Sequence, residues 1–355
     1  MSAQAHKTPA PGTPGTILVT GGAGYIGSHC ALALLEAGRD IVILDSLELG
    51  HQETIDTLKE ISTTTKGRLR AFIKGDLNRR EDIEAVLNQN MDITAVLHFA
   101  AYSQVAESVR DPGKYYRNNI AGTLNLLDAM RSRQINKIVF SSTAATYGEP
   151  QYTPIDEDHP QEPVNPYGKS KLMVEAIMDD YDRAYGIRSV RLRYFNAAGA
   201  DTEARIGEWH EPETHLIPNI LKAAKPKTGK EKQKTFQLYG TDYATRDGTC
   251  VRDYIHVEDL AQAHLRALEY LEQGKPTTAL NLGTNDGSTV REVFAVCEQV
   301  TGQEIPVTEQ PRRAGDPAIL IADNTKAKQT LDWTPEKTLT EAVESAWAWE
   351  RAERK

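Results

Sequence analysis

Short runs of branched apolar residues alternate along the chain with stretches whose apolar positions recur every three or four residues. Thr16–Thr20 (TILVT) reads as a strand, followed by a glycine-rich turn and a helical stretch to about Ala37. Ile41–Asp45 (IVILD), Leu69–Ile73 (LRAFI), Ala95–Phe99 (AVLHF), Lys137–Ser142 (KIVFSS) and Ser189–Arg193 (SVRLR) read as further strands. Helical patterns lie between them at Glu81–Asn90, Tyr115–Arg133 and about Pro166–Tyr185, with Ile120, Leu124, Leu127 and Met130 forming one apolar stripe. Strands that are apolar throughout predict a parallel sheet covered on both faces, because a sheet with one wet face would alternate. The expected class is therefore α/β, a doubly wound parallel sheet.

From about Phe195 the rhythm breaks into a loop-rich region with Pro212, Pro218 and Pro226. It includes the basic run Lys225–Lys234 (KPKTGKEKQK), which reads as a solvated loop. Short strands and helices follow, ending in a helical pattern over Thr340–Arg354 that carries Trp347 and Trp349. A chain of 355 residues suits about two domains. We expect a tail over residues 1–15, a large domain over 16–195 to which a segment near 250–275 returns, and a smaller α/β substrate domain over 196–355. The tail, rich in Ala, Pro, Gly and Thr, has no apolar stretch of the secretory kind.

Composition narrows the function classes. The 39% hydrophobic content supports a folded core, and 41 basic against 50 acidic residues argue against broad binding to nucleic acid or anionic membrane. No window approaches the roughly 18 consecutive apolar residues of a membrane span. The three cysteines, Cys30, Cys250 and Cys297, lie far apart without metal-ligand spacing. A reducing, cytoplasmic compartment and no metal site are the expectations.

The candidate chemistry begins at Thr20–Gly27 (TGGAGYIG), which follows a strand and opens a helix. Gly21, Gly24 and Gly27 are spaced G-x-x-G-x-x-G. Glycines there permit a tight turn and let backbone N–H groups approach a pyrophosphate at the helix N-terminus, as in a Rossmann dinucleotide site. Asp45, ending the next strand, suits the ribose hydroxyls and would repel a 2′-phosphate, so NAD is expected over NADP. Asp76, after the third strand, is a candidate for the adenine edge.

Tyr167 and Lys171, in Asn165–Lys171 (NPYGKSK), fall four residues apart on one face of a helix that opens with proline. A neighbouring ammonium favours the phenolate, which a phenol of pKa near ~10 needs before it can act as a base at neutral pH. A hydroxyl source, Ser141-Ser142-Thr143, ends the fifth strand. Thr143 is expected to partner Tyr167 and the substrate hydroxyl, with Ser141 and Ser142 structural.

With these pieces assembled, the chain resembles the extended short-chain dehydrogenase/reductases and, within them, the UDP-glucose 4-epimerases. The likeness runs from Thr16 to Glu350 through TGGAGYIGSH (20–29), HFAAYSQVAESV (98–109), YYRNNIAGTLNLL (115–127), SSTAATYG (141–148), NPYGKSKLMVE (165–175), RYFNAAGA (193–200), HLIP (215–218) and DGTCVRDYIHVEDLA (247–261). It implies that Tyr25, Ile26, Asp45, Ser46, Asp76, Leu77, Phe99, Ala100, Asn119, Tyr167, Lys171 and Phe195 contact a tightly bound NAD that is regenerated at each turnover. It places Asn196, His215 and Leu216 at the UDP-sugar and Tyr239, in Gln237-Leu238-Tyr239, on the uracil. Arg252, Arg313 and Asp316 are implied at the diphosphate and ribose, a role that suits guanidinium forks and a carboxylate. Leu320 would bear on pocket size.

Three positions depart from the commoner pattern: Thr143 for serine, Ser103 for a lysine, and His215 for asparagine. The resemblance implies epimerisation at the sugar's C4 and a homodimer built on the helices near Tyr115–Arg133 and Pro166–Tyr185. UDP-pentose and UDP-N-acetylhexosamine epimerases are the alternatives, and a non-catalytic NAD sensor is a further one. A 4,6-dehydratase ranks lower, because Ala144 and Ala145 stand where that chemistry needs an acid and a base.

Overall fold

The computed structural model describes residues 15–225, 235–313 and 316–352. Most of the expected tail and of the basic run Lys225–Lys234 lies outside the described residues. Strands β1 (Thr16–Thr20), β2 (Ile41–Asp45), β3 (Leu69–Lys74), β4 (Ile93–His98), β5 (Lys137–Thr143) and β6 (Arg188–Tyr194) form one parallel sheet with the later strand Thr278–Leu282. Its order is Thr278–Leu282, β6, β5, β4, β1, β2, β3, which reverses direction between β1 and β4. A crevice at the carboxyl ends of such a sheet, at the reversal, is where doubly wound folds place their ligands.

Both faces of the sheet are buried. Ile17, Val19, Ile41 and Ile43 belong to one apolar cluster, while Leu18, Val42 and Leu44, one residue out of phase, belong to another. Helix Val257–Glu272 covers β5 and β6 and packs on helix Tyr25–Glu36. A third cluster, including Ile217, Ile220, Phe236, Val293 and Val343, forms the core of the C-terminal part. Around it lie helices Leu216–Ala224, Val290–Thr301 and Leu339–Arg351, the parallel pair Phe236–Tyr239 with Val307–Gln310, and a small sheet of Ser288–Thr289, Val251–Arg252 and Ile319–Leu320.

Some elements differ from the sequence reading, among them the unread helix Val105–Arg110. Helix Gln52–Ile61, between β2 and β3, did not stand out from its pattern. The continuous helix expected over Tyr115–Arg133 is instead a short helix Pro112–Tyr115, a π-helical stretch Tyr116–Ala121 and helix Gly122–Ser132. The widened turn holds Asn119, whose side chain reaches across to Tyr102 and Ser170.

Candidate active site

The glycine turn occupies the carboxyl end of β1. Gly21 has φ of +75°, and a Cβ on it would lie 2.5 Å from the Ala100 nitrogen. A Cβ on Gly27 would lie 2.1 Å from the Gly21 carbonyl, so helix and turn touch there. Gly24 is different, since a Cβ would meet only the Gly21 carbonyl at 3.5 Å. The protein's own packing does not require glycine at that position, while close approach of a pyrophosphate would.

Gly21, Gly24, Asp45, Ser46, Asp76, Leu77, Phe99 and Ala100 line one cleft, joined by Tyr102 and Asn118. Buried Asp45 accepts from the Ala23 nitrogen at 2.9 Å and the Leu47 nitrogen at 2.8 Å, one bond per oxygen. Each oxygen keeps capacity for a further donor. Burial raises its pKa, and the backbone donors oppose that rise. Tyr25 and Ile26 open the helix, with the Tyr25 hydroxyl donating to the Gly199 carbonyl at 2.6 Å. Phe195 lies in the turn after β6. Asn119 is buried and engaged inside the protein: its amide donates to the Tyr102 carbonyl and Ser170 hydroxyl, and its oxygen accepts from the Tyr102 nitrogen. Its neighbour Asn118 is the one that lines the cleft.

Helix Pro166–Tyr185 has the boundaries its sequence dictates. Asn165 caps it, accepting from the Gly168 nitrogen at 2.8 Å, proline stands in its first turn, and Gly186 ends it with φ of 69°. Tyr167 and Lys171 are both buried on it, beside the end of β5. The Thr143 hydroxyl accepts from the Ala145 nitrogen at 3.1 Å, and its influence on the Tyr167 phenol is to lower the pKa. Ser141 and Ser142 turn into the protein, toward the Tyr194 hydroxyl and the Glu175 carboxylate.

The electrostatics run against the simple expectation. Burial pushes the Tyr167 phenol up to about 12, against the lowering influence of the Thr143 hydroxyl. Burial also brings the Lys171 ammonium down to about 7, opposed by the charge of Glu175. Lys171 donates to the Ser141 carbonyl at 2.7 Å and lies 4.7 Å from the centre of the Phe140 ring. Burial thus works against the phenolate at Tyr167 and against the ammonium at Lys171.

Glu175 escaped the sequence reading. It continues the four-residue spacing of Tyr167 and Lys171, and that extension was the available signal. Its carboxylate, buried, accepts from Arg193 Nε at 3.0 and 3.2 Å and from Ser142 at 2.5 Å.

The residues expected toward the sugar nucleotide come from several segments. Arg252 donates to the Val251 and Pro317 carbonyls and lies 3.8 Å from Asp316, while Leu320 sits opposite it in the strand pairing. The Arg313 guanidinium lies 4.1 Å from the centre of the Tyr239 ring. Tyr239 ends the strand that holds Gln237 and Leu238; Leu238 is buried and Gln237 accepts from Gln310. Asn196 is tied to the Asp253 carbonyl, next to Arg252. His215 precedes helix Leu216–Ala224, and its Nδ1 lies 2.5 Å from Glu208. Its side-chain contacts run to Glu208, Glu213 and His210 and to none of the residues just named.

Among known proteins, residues 18–346 match the family described as GDP-mannose 4,6 dehydratase. The chain is 49% identical over 334 residues to the UDP-glucose 4-epimerase of Rhizobium leguminosarum bv. trifolii, covering 94% of this chain and 97% of that one. Its fold matches the structure of UDP-glucose 4-epimerase from Brucella ovis in complex with NAD, with TM-score 0.86, 43% identity and coverage of 94% and 98%. It also matches the Stenotrophomonas maltophila UDP-glucose-4-epimerase with bound NAD and formylated UDP-arabinopyranose, with TM-score 0.88, 37% identity and coverage of 95% and 98%. The full-length likeness at 37–49% identity is to epimerases. This chain belongs to the extended short-chain dehydrogenase/reductases and, among them, to the UDP-glucose 4-epimerase family.

Proposed function

We propose that this chain is an NAD-dependent 4-epimerase that interconverts UDP-glucose and UDP-galactose through a 4-keto sugar. The observation that carries the reading is the helix bearing buried Tyr167 and Lys171, four residues apart, tied by the Lys171 ammonium to Ser141 of β5, the strand that ends in Thr143. The cleft fits the cofactor by its chemistry: a glycine no packing contact requires, and a carboxylate with spare acceptor capacity at Asp45. Gly24, Asp45, Ser46, Asp76, Leu77, Phe99 and Ala100 would hold NAD, which when bound supplies a reversible hydride acceptor.

Tyr167 removes the proton from the sugar's 4-hydroxyl and later returns it, with Thr143 aligning both hydroxyls. Because burial holds the phenol high, the positive charges of Lys171 and of the oxidised cofactor have to lower it. The 4-keto sugar, planar at that carbon, must turn over between proton removal and return. The protein therefore has to grip the nucleotide and leave the hexose loose. Tyr239 for the uracil, Arg252, Arg313 and Asp316 for the diphosphate and ribose, and Asn196 and Leu216 near the sugar supply that division, with Leu320 bordering the pocket and the His215 side chain turned instead to Glu208.

Two further parts of the reading have separate support. A homodimer fits the exposed Val105 and Val109 on helix Val105–Arg110 and Met173 on the helix packed against it. A cytoplasmic location fits three cysteines that are all free; among the described residues no helix is long and apolar enough to cross a membrane. We read the chain as a cofactor domain over about 16–195 and a mainly sugar-nucleotide domain beyond it.

The deciding experiment incubates purified protein with UDP-galactose and no added NAD. Appearance of UDP-glucose supports the assignment. A 4-keto-6-deoxy product would point to dehydration, and binding without conversion to a sensor. Parallel assays with UDP-N-acetylgalactosamine and UDP-xylose set the substrate range.

A further inference from the structure

We infer that Glu208, His210, Glu213 and His215 form a binding site for one divalent transition ion of the zinc class. Their donor atoms all lie within 4.8 Å of one another. Glu208 Oε1 is 3.2 Å from His210 Nδ1 and 2.5 Å from His215 Nδ1, and Glu213 Oε1 is 3.8 and 3.6 Å from the same nitrogens. Donors arranged as a tetrahedron at ~2.0–2.1 Å from a metal are about 3.3 Å apart. Of the six edges, the four carboxylate–imidazole ones include three within about half an ångström of that length, and the close Glu208–His215 pair would have to open to accept the ion.

The groups are built for a cation. The Glu208 and Glu213 side chains are only 6% and 4% exposed, so two carboxylates are held away from water. His210 Nδ1 is buried and makes no aligned hydrogen bond, though Glu208 Oε1 is 3.2 Å away, and Glu213 Oε2 is buried with only the Lys222 ammonium near it, at 3.5 Å. Glu213 Oε1 accepts from the Thr214 and His215 nitrogens, which fixes its direction. His210 and His215 are 26% and 56% exposed, leaving a way in. Two imidazoles with two carboxylates suit zinc or a neighbouring ion rather than calcium or magnesium, which prefer an all-oxygen shell. The spacing Glu208-x-His210-x-x-Glu213-x-His215 holds no cysteine, so attention to cysteine spacing passes over it.

The ion would have a structural part. Trp209 stacks on His51 at 3.7 Å, the ring of His210 meets Tyr25 edge-on at 6.4 Å, and Trp349 donates to the Glu208 carbonyl at 3.0 Å. One ion ties this segment together between the helix that begins at Tyr25 and the helix that begins at Leu216.

The test uses the full, untagged chain stripped with a chelator and titrated with Co²⁺, then Zn²⁺. One equivalent of Co²⁺ bound, with visible bands of a four-coordinate site that Zn²⁺ abolishes, is the expected result. Thermal melting should rise on adding Zn²⁺ and fall back with chelator. Glu208→Gln and His210→Gln, each checked for native circular dichroism, should lose the bands. Absence of stoichiometric uptake, or uptake unchanged in both variants, would overturn the site and leave two imidazole–carboxylate pairs. No turnover is measured, so the outcome is independent of the proposed epimerase activity.

Discussion

Lys171 donates to the carbonyl of Ser141 at 2.7 Å, so the ammonium is anchored to the strand that carries Thr143. Strand end and helix are thereby locked together with the phenol between them. The buried Glu175, one turn further along, holds Arg193 and Ser142 and its charge favours the protonated lysine. The proposed reacting groups sit on a helix and a strand end, as positioning to a fraction of an ångström requires.

Tyr167→Phe removes the proposed base and leaves the ring in its buried slot. We expect kcat for UDP-galactose conversion to fall by about 10²–10⁴-fold, with an unchanged circular dichroism spectrum. A variant with full activity would sink the catalytic assignment.

The Thr143 hydroxyl caps the Ala145 nitrogen and acts to lower the Tyr167 phenol's pKa. Thr143→Ser should keep most of kcat, whereas Thr143→Val should lose about 10- to 100-fold. Equal rates in the two variants would show that the hydroxyl is not needed.

The pH dependence of stability follows from Lys171. Burial lowers its folded pKa to about 7, against about 10.4 in the unfolded chain. Between those values the unfolded chain binds more protons, so stability contributed by this group rises with pH, and the full penalty applies below about 7. Lys171→Met should therefore raise the melting temperature of cofactor-free protein most below pH 7, with the gain shrinking toward pH 10. A gain that grows with pH would contradict the burial argument. In turnover, where Lys171 has to help lower the phenol, the same variant should move the rising limb of log kcat to higher pH.

Glu175→Gln leaves Arg193 buried with its charge uncompensated. Breaking one partner of such a pair costs about 3–5 kcal/mol, which urea unfolding should register as a lower midpoint with an unchanged slope.

Gly24→Ala and Gly27→Ala separate cofactor from packing. Gly27→Ala pushes a Cβ to 2.1 Å from the Gly21 carbonyl, and the protein should be destabilised by about 1–3 kcal/mol or more. Gly24→Ala meets only ordinary contact at 3.5 Å, so stability should stay within about 0.5 kcal/mol while the NAD retained through gel filtration falls. Full retention by the Gly24 variant would remove the argument for that cradle.

Residue order alone was enough for features whose parts lie within a few residues of each other. Asn165, Pro166 and Gly186 set the limits of a helix, Gly21, Gly24 and Gly27 the turn, and Tyr167 and Lys171 a shared face, because backbone geometry within one or two turns depends on side chains close by in the chain. The apolar runs of β1 and β2 likewise implied a sheet buried on both sides. The sign of the electrostatics at Tyr167 and Lys171 came only with folding, since it depends on how completely distant segments exclude water. So did the π-helical turn at Asn119, the Glu175–Arg193 pair across 18 residues, and the directions in which the side chains between Glu208 and His215 point. Those relationships join atoms that only the packed chain brings within bonding distance, and no local preference encodes them.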